Sequence, residues 1–206
     1  MPEPRAHEIR IRVHASTVSA ADHRTRSGEI PRGLRLLAGF SIGFLRPRRR
    51  ILGMDAAGVV DAVGSAVTAF APGDEVIAML GARFGGHGEY AIVSERGGIA
   101  AKPASLTFDQ AAALIFGGIT AHVFLERASL TPGARVLITG ASGVVGTAAI
   151  QLAKATGAHV TAVARAATSE LLLLKLGADE VIDYTVTDFA RTGATYDMIV
   201  DCAGTA

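Results

Sequence analysis

Three glycines recur three residues apart in the stretch RVLITGASGVVGTAAIQLAKATGAHVTAVAR, residues 135–165. Gly140, Gly143 and Gly146 fall between an apolar run, Arg135 to Thr139, and a helical run, Val144 to Thr156, closed by Gly157. At a strand-to-helix corner, glycines have distinct uses. The first permits a tight turn, the second lets backbone come close to a diphosphate, and the third lets the helix pack closely. The residues between them, Ala141, Ser142, Val144 and Val145, then present backbone N–H groups, and the helix dipole turns its positive end to the anion. The spacing is GxxGxxG rather than GxGxxG, so the pattern alone fits a glycine-rich turn with no ligand. The strand before it, the helix after it and a second strand ending at Arg165 favour a dinucleotide.

The end of that second strand selects the cofactor. A 2′-hydroxyl calls for Asp or Glu there, whereas a 2′-phosphate calls for a cation and no acid. The chain reads Ala164-Arg165-Ala166-Ala167-Thr168-Ser169. Arg165 can clamp a phosphate, with Ser169 and Tyr184 as neutral donors, so NADPH is expected ahead of NADH. The plainer alternative for Arg165 is a solvated surface arginine.

The elements that position these residues follow from periodicity. Ile9, Ile11 and Val13 alternate with Arg10, Arg12 and His14, a half-buried strand. Further strands are expected at Ala56–Val63, Glu75–Met79 and Tyr90–Val93, with turns at Gly64-Ser65, at Pro72-Gly73-Asp74 and in the cluster Gly81, Gly85, Gly86 and Gly88. Short strands with glycine-rich turns predict a small β-barrel or sandwich. The segment from Pro31 to Arg50 reads as a short helix lying on it, followed by a solvated loop, Arg46-Pro47-Arg48-Arg49-Arg50. From Ser105 the period changes. Ser105 or Thr107 caps an alanine-rich helical run that meets Gly117-Gly118, and a second helical run continues to Ala128. Beyond it, strands at Arg135–Thr139, Val160–Ala164, Val181-Ile182 and Met198–Asp201 alternate with helices at Val144–Thr156 and Ser169–Leu176, the pattern of a parallel sheet. The expected fold is therefore α/β, a β domain over 1–104 and a dinucleotide-binding domain over 105–206.

Composition limits the partners. The 206 residues carry a formal charge of +1 with 19% charged residues, so no global field recruits nucleic acid, and a small-molecule partner is expected. One cysteine, Cys202, excludes an internal disulfide and a multi-cysteine zinc cluster. The run Leu34–Leu45 is too short to span a membrane, and Pro2-Glu3-Pro4-Arg5 precedes no apolar signal region. A soluble, cytoplasmic protein is expected.

The residues also resemble a known family, the medium-chain dehydrogenase/reductase superfamily, in its zinc-free quinone oxidoreductase-like branch. The resemblance rests first on GMDAAGVVDAVGSAVTAFAPGDEV, with Gly53, Asp55, Gly58, Val60, Val63, Gly64, Val67, Phe70, Gly73, Asp74 and Val76 in the family's pattern. HASTVSAADHRTRSG (14–28), AALIFGGITA (112–121), GASGVVG (140–146) and LGADEVIDY (176–184) look like family landmarks in family order, so it runs from Glu8 to Gly204. It implies a GroES-like (chaperonin-10 type) β-barrel followed by a Rossmann domain, with hydride transfer from a nicotinamide cofactor to a quinone, enone or similar activated acceptor. By matching positions, Thr120 would face the nicotinamide and diphosphate, and Tyr184 with Arg165 the adenosine side. Ser19 stands where the branch often has asparagine near the nicotinamide, and Asp22 lies close by; these two are the candidate catalytic residues, with capping as the competing role.

Departures matter as much as matches. Zinc-dependent relatives carry Gly-His-Glu where this chain has Gly53-Met54-Asp55, and a cysteine at Ser19; methionine and serine do not replace a histidine and a thiolate on zinc. No metal is expected. A short-chain dehydrogenase reading fails because Ser94, Asp188 and Val200, not lysine, stand four residues after Tyr90, Tyr184 and Tyr196. A non-catalytic nucleotide-binding or interaction module derived from such a reductase remains the alternative. Four strands after Arg135, against six in a complete dinucleotide fold, read as a partial Rossmann domain truncated at its C-terminus. Tyr196–Gly204 is then an edge strand with an uncovered apolar side, which a second chain, as in a homodimer, would cover.

Overall fold

A computed structural model describes residues 1–28 and 50–204. The short helix expected in the segment from Pro31 and the arginine run up to Arg49 lie outside the described residues. The chain divides into two compact units, Met1–Ile115 and Phe116–Ala206.

The first unit is built on one antiparallel sheet of β1 (Glu8–Ala15), β2 (Asp55–Val63), β3 (Glu75–Met79), β4 (Tyr90–Ser94) and β5 (Gly98–Ala101), in the order β4-β1-β2-β3-β5. Register shifts in β1 against β2, between Arg10 and Ile11 and between Val13 and Ala15, increase the local bend, and the sheet curls as a GroES-like half-barrel. The alternation in β1 does its expected work, with Ile9 and Ile11 buried in a core that includes Val60, Val76, Ala78 and Val93. Arg10, expected on the wet face, is 8% exposed. Its guanidinium donates to Asp61 Oδ2 (2.6 Å) and to Pro2 O (2.9 Å) and lies over the Tyr90 ring, which satisfies a charge that burial would otherwise penalise. Strand β5 and the helix α1 (Ala20–Ser27) were not expected from periodicity.

One helix, α2 (Phe108–Arg127), straddles the two units. Thr107 starts it: its Oγ1 accepts from Gln110 N–H (3.3 Å), and its own N–H donates to Gln110 Oε1 (3.0 Å), a reciprocal cap that selects Thr107 over Ser105. The expected division at Gly117-Gly118 does not occur. A Cβ on Gly117 would lie 2.5 Å from the carbonyl oxygen of Val144, so glycine serves here as a contact point between helices, not as a break. As one uninterrupted element, α2 is long and apolar enough, by length and composition, to cross a membrane. Its Ala111 and Ala112 are buried in the first unit, and its Ala121 and Leu125 in the core of the second.

The second unit has a four-stranded parallel sheet, β6 (Arg135–Thr139), β7 (His159–Ala164), β8 (Glu180–Asp183) and β9 (Met198–Asp201), in the order β8-β7-β6-β9. Helices α3 (Val144–Ala155) and α4 (Ala166–Lys175) connect β6 to β7 and β7 to β8. Helix α4 begins three residues before the expected Ser169. Val136, Ile138, Val160 and Ala162 pack against Ala149, Ile150 and Ala153 of α3 and Leu173 of α4. This is the Rossmann-like arrangement, with strand β9 at the sheet's edge and Ile199 exposed on it.

Candidate functional site

A cleft of about 880 Å³ opens at the carboxyl ends of the parallel strands. Its lining includes Gly140 and Ser142 after β6, Arg165 and Ser169 after β7, and Tyr184 after β8, five of the residues picked out in the sequence. In parallel α/β sheets this edge gathers ligands, because every strand-to-helix turn emerges there with its helix N-terminus.

The glycine corner is tightly determined. Gly140 has φ of +58°, the left-handed region, and a Cβ there would approach the backbone of Cys202 and Ala203 at 3.1 Å. Its carbonyl accepts from Gly143 N–H at 2.9 Å, closing the turn. Gly143 is the residue before α3, with extended backbone and no side chain to cap the helix, and the first turn carries no acid. The N–H groups of Val144 and Val145 therefore face no protein carboxylate or hydroxyl cap, the arrangement an anion exploits. Ala141 departs from its expected role. It is fully buried and its N–H donates to Val163 O (3.1 Å), so it stitches the turn to β7 and has no donor left for a ligand. Gly146 abuts the turn itself, where a Cβ would lie 2.5 Å from Gly140 O.

Arg165 is exposed and immediately precedes α4, with Thr168 and Ser169 one turn on. Among the described residues it is the single cation lining the cleft. Thr120 lies on α2 three residues after Gly117, and hence on the side of that helix that meets Val144. The sequence reading missed Thr168, the loop Thr185–Phe189 and Asp183. Asp183 anchors that loop: its Oδ1 accepts from Thr185 N–H (2.9 Å) and Thr185 Oγ1–H (2.7 Å), and its Oδ2 from Ala166 N–H (3.2 Å). The Asp-x-Thr spacing was the available signal, since an aspartate readily folds back on the backbone two residues later. At the far side of the cleft, Asp201 accepts from Thr139 Oγ1–H, which ties the ends of β6 and β9 together. Burial, aided by the Asp201 charge, pushes the Cys202 thiol up, so it is held protonated.

Ser19 and Asp22 lie in the first unit, and both are committed to structure. Ser19 caps α1: its N–H and Oγ–H donate to Asp22 Oδ2 (2.9 and 2.7 Å), and Asp22 Oδ1 accepts from Gly53 N–H (3.0 Å). Burial works to raise the Asp22 pKa, but donors from Ser19 and Gly53, with His87 nearby, outweigh it and hold the carboxyl below its ordinary value. The carboxylate is thus a fixed acceptor that ties α1 to the start of β2, which leaves it no proton to donate near neutral pH. Because its folded pKa is lowered, its stabilisation is present above the unfolded value and lost as pH falls through the folded one. Asp22→Ala strands donors at Ser19 and Gly53 and is expected to cost about 2–3 kcal/mol at pH 7, with the difference from the parent shrinking in melts below about pH 4. A pH-independent difference would contradict this account.

Among the described residues, no group of three or more His, Cys, Asp or Glu side chains could hold a metal ion. Met54 and Ser19, the two residues whose types speak against zinc in the sequence, are both partly buried.

An antiparallel β unit followed by a parallel sheet with a glycine corner at a cleft is the arrangement of a nucleotide-binding α/β protein. Family models agree: that for the alcohol dehydrogenase GroES-like domain matches residues 5–104, and that for zinc-binding dehydrogenase residues 144–206. The chain belongs to the medium-chain dehydrogenase/reductase superfamily, on its quinone oxidoreductase-like side.

The mouse mitochondrial NAD(P)H oxidoreductase RTN4IP1 is 41% identical over 210 residues, covering 96% of this chain and 52% of that protein. The quinone oxidoreductase from Coxiella burnetii superposes with a TM-score of 0.86 at 32% identity, over 98% of this chain and 62% of that one. An Escherichia coli quinone oxidoreductase solved with NADPH gives a TM-score of 0.73 at 30% identity, over 91% and 53%. The chain thus spans about half the length of the curated relatives it matches.

Proposed function

We propose that this protein is a zinc-independent, NADPH-preferring oxidoreductase that reduces a quinone, an enone or a similarly activated carbonyl or alkene. The observation that carries the reading is the turn leading into the uncapped start of α3, whose residues Gly140 and Ser142 line the same cleft as Arg165. Diphosphate fits the first, because backbone donors there have no protein acceptor; a 2′-phosphate fits the second, because cation and hydroxyls converge at one helix start. The relatives named for NAD(P)H and quinone chemistry support the same class. Bound there, the dihydronicotinamide supplies a hydride. With Ser19 and Asp22 held in the α1 cap, the proton that completes reduction is left to water. Quinones and enones suit a site without a Lewis acid because charge arriving with hydride is delocalised in the acceptor. The residue types at Ser19 and Met54 support zinc independence.

Fluorescence titration with NADPH and NADH, followed by NADPH consumption with a para-quinone in the presence of a chelator, tests this. NADPH is expected to bind more tightly, and Arg165→Ala to weaken NADPH about tenfold or more while leaving NADH nearly unchanged. Tighter NADH binding overturns the cofactor preference, loss of turnover on chelation overturns zinc independence, and NADPH binding without consumption of any quinone or enone favours a non-catalytic nucleotide-binding module.

A further inference from the structure

The helix start that carries Arg165 also carries a negative charge. Asp183 closes β8 in register with Ala164, the residue before Arg165, and its Oδ2 accepts from Ala166 N–H, the residue after it. The carboxylate therefore sits at the α4 N-terminus beside the cleft's lining cation. Two other acids stand nearby: Asp188 lines the same cleft but is bound within its own loop, and Asp201 lies at the opposite side. Asp188 takes Ala190 N–H and pairs with Arg191, and Asp201 takes Thr139, Ala203 and Gly204.

Resting on the reading of this cleft as the adenosine end of a nicotinamide site, we propose that Asp183 is a specificity-determining residue that restrains the preference for a 2′-phosphate. It occupies the first α4 donor and shares the field of Arg165, both of which a phosphate dianion would otherwise claim; a 2′-hydroxyl carries no charge to be repelled. The donors from Thr185, and then Ala166 and the Arg165 charge, hold the Asp183 carboxyl below its ordinary value, so the charge is present throughout the neutral range. Discrimination is then a difference between attraction to Arg165 and repulsion from Asp183, which lets one helix start serve both cofactors with a bias.

Removing the negative charge tests the proposal. Asp183→Asn is expected to tighten NADPH about tenfold and to leave NADH within about twofold, with the gain shrinking as salt is raised. Asp183→Ser, which keeps a small acceptor toward Thr185 and Ala166, is expected to do the same, and it serves should the amide variant fail to fold. Thr185→Val loosens the loop but keeps the charge, so it is expected to move both cofactors by one common factor. If neither Asp183 variant tightens NADPH relative to NADH, while Arg165→Ala still weakens NADPH, Asp183 is a loop anchor only and the inference falls with the functional reading intact. If the parent binds neither cofactor, both fall.

Discussion

A Gly143→Asp variant is expected to fold as well as the parent and to bind NADPH at least about a hundredfold more weakly. The two halves of this expectation come from one geometry. Gly143 has φ of −79° and ψ of 171°, an extended conformation open to any residue, and it holds the capping position of α3. Aspartate is among the best caps, worth a few tenths of a kcal/mol over glycine, so stability should move by less than about 1 kcal/mol. A Cβ there meets only Gly140 O, at 3.2 Å, which a shift of a few tenths of an ångström relieves. The new carboxylate, however, takes the donors a diphosphate would use and adds like charge against it. Each hydrogen bond lost to a charged group is worth about 1.5–3 kcal/mol, and two such losses exceed a hundredfold. Thermal melts alongside NADPH titration check it. A melt unchanged together with unchanged affinity would remove the glycine corner from the cofactor site.

Gly146→Ala is expected to do the reverse, striking the fold first. By helix propensity alone alanine should gain about 1 kcal/mol over glycine in α3. Its Cβ would stand 2.5 Å from Gly140 O, 2.7 Å from Ala141 Cα and 2.8 Å from Ala141 C, all of them backbone. No side-chain rotation relieves such contacts. The helix must retreat from the turn by about an ångström, and overpacking of this kind costs about 1–3 kcal/mol or more, so the clash wins over propensity. We expect a net loss of up to about 2 kcal/mol, read as a fall in Tm of up to about 4–8 °C, with weakened cofactor binding as the turn is displaced. A variant that melts at or above the parent temperature would show that α3 does not pack on its own turn as described.

What could be read from the chain was whatever repeats locally. The glycine corner, the strand–helix alternation after Arg135 and the placement of Arg165 at a strand end each depend on residues within one βαβ unit. The elements that were missed lack such a signal. Strand β5, Gly-Ile-Ala-Ala, has neither alternation nor a β-branched run, and β3 pairs with it across about twenty residues. The Gly117-Gly118 pair reads as a break, because its reason lies in Val144, a residue of another helix. Ser19 and Asp22 stood out by resemblance, yet Asp22 also accepts from Gly53 N–H, 31 residues on, and that bond decides that the carboxylate anchors rather than donates. Asp183 lies within the quoted landmark LGADEVIDY and was passed over, since its meaning comes from standing beside the start of a helix that precedes it in the chain.

By itself, then, the amino-acid order determined the two kinds of sheet, the corner where backbone turns free donors outward, and the absence of an acid at the end of β7. These follow from side-chain period and from the conformational freedom of glycine, both of which act between near neighbours. Only the tertiary structure decided which polar groups are consumed in holding the fold, as Ala141 N–H, Asp22 and Arg10 are, and which remain to meet a ligand. A buried donor or acceptor must find its partner wherever the folded chain brings one within about 3 Å, and that requirement is blind to separation along the sequence.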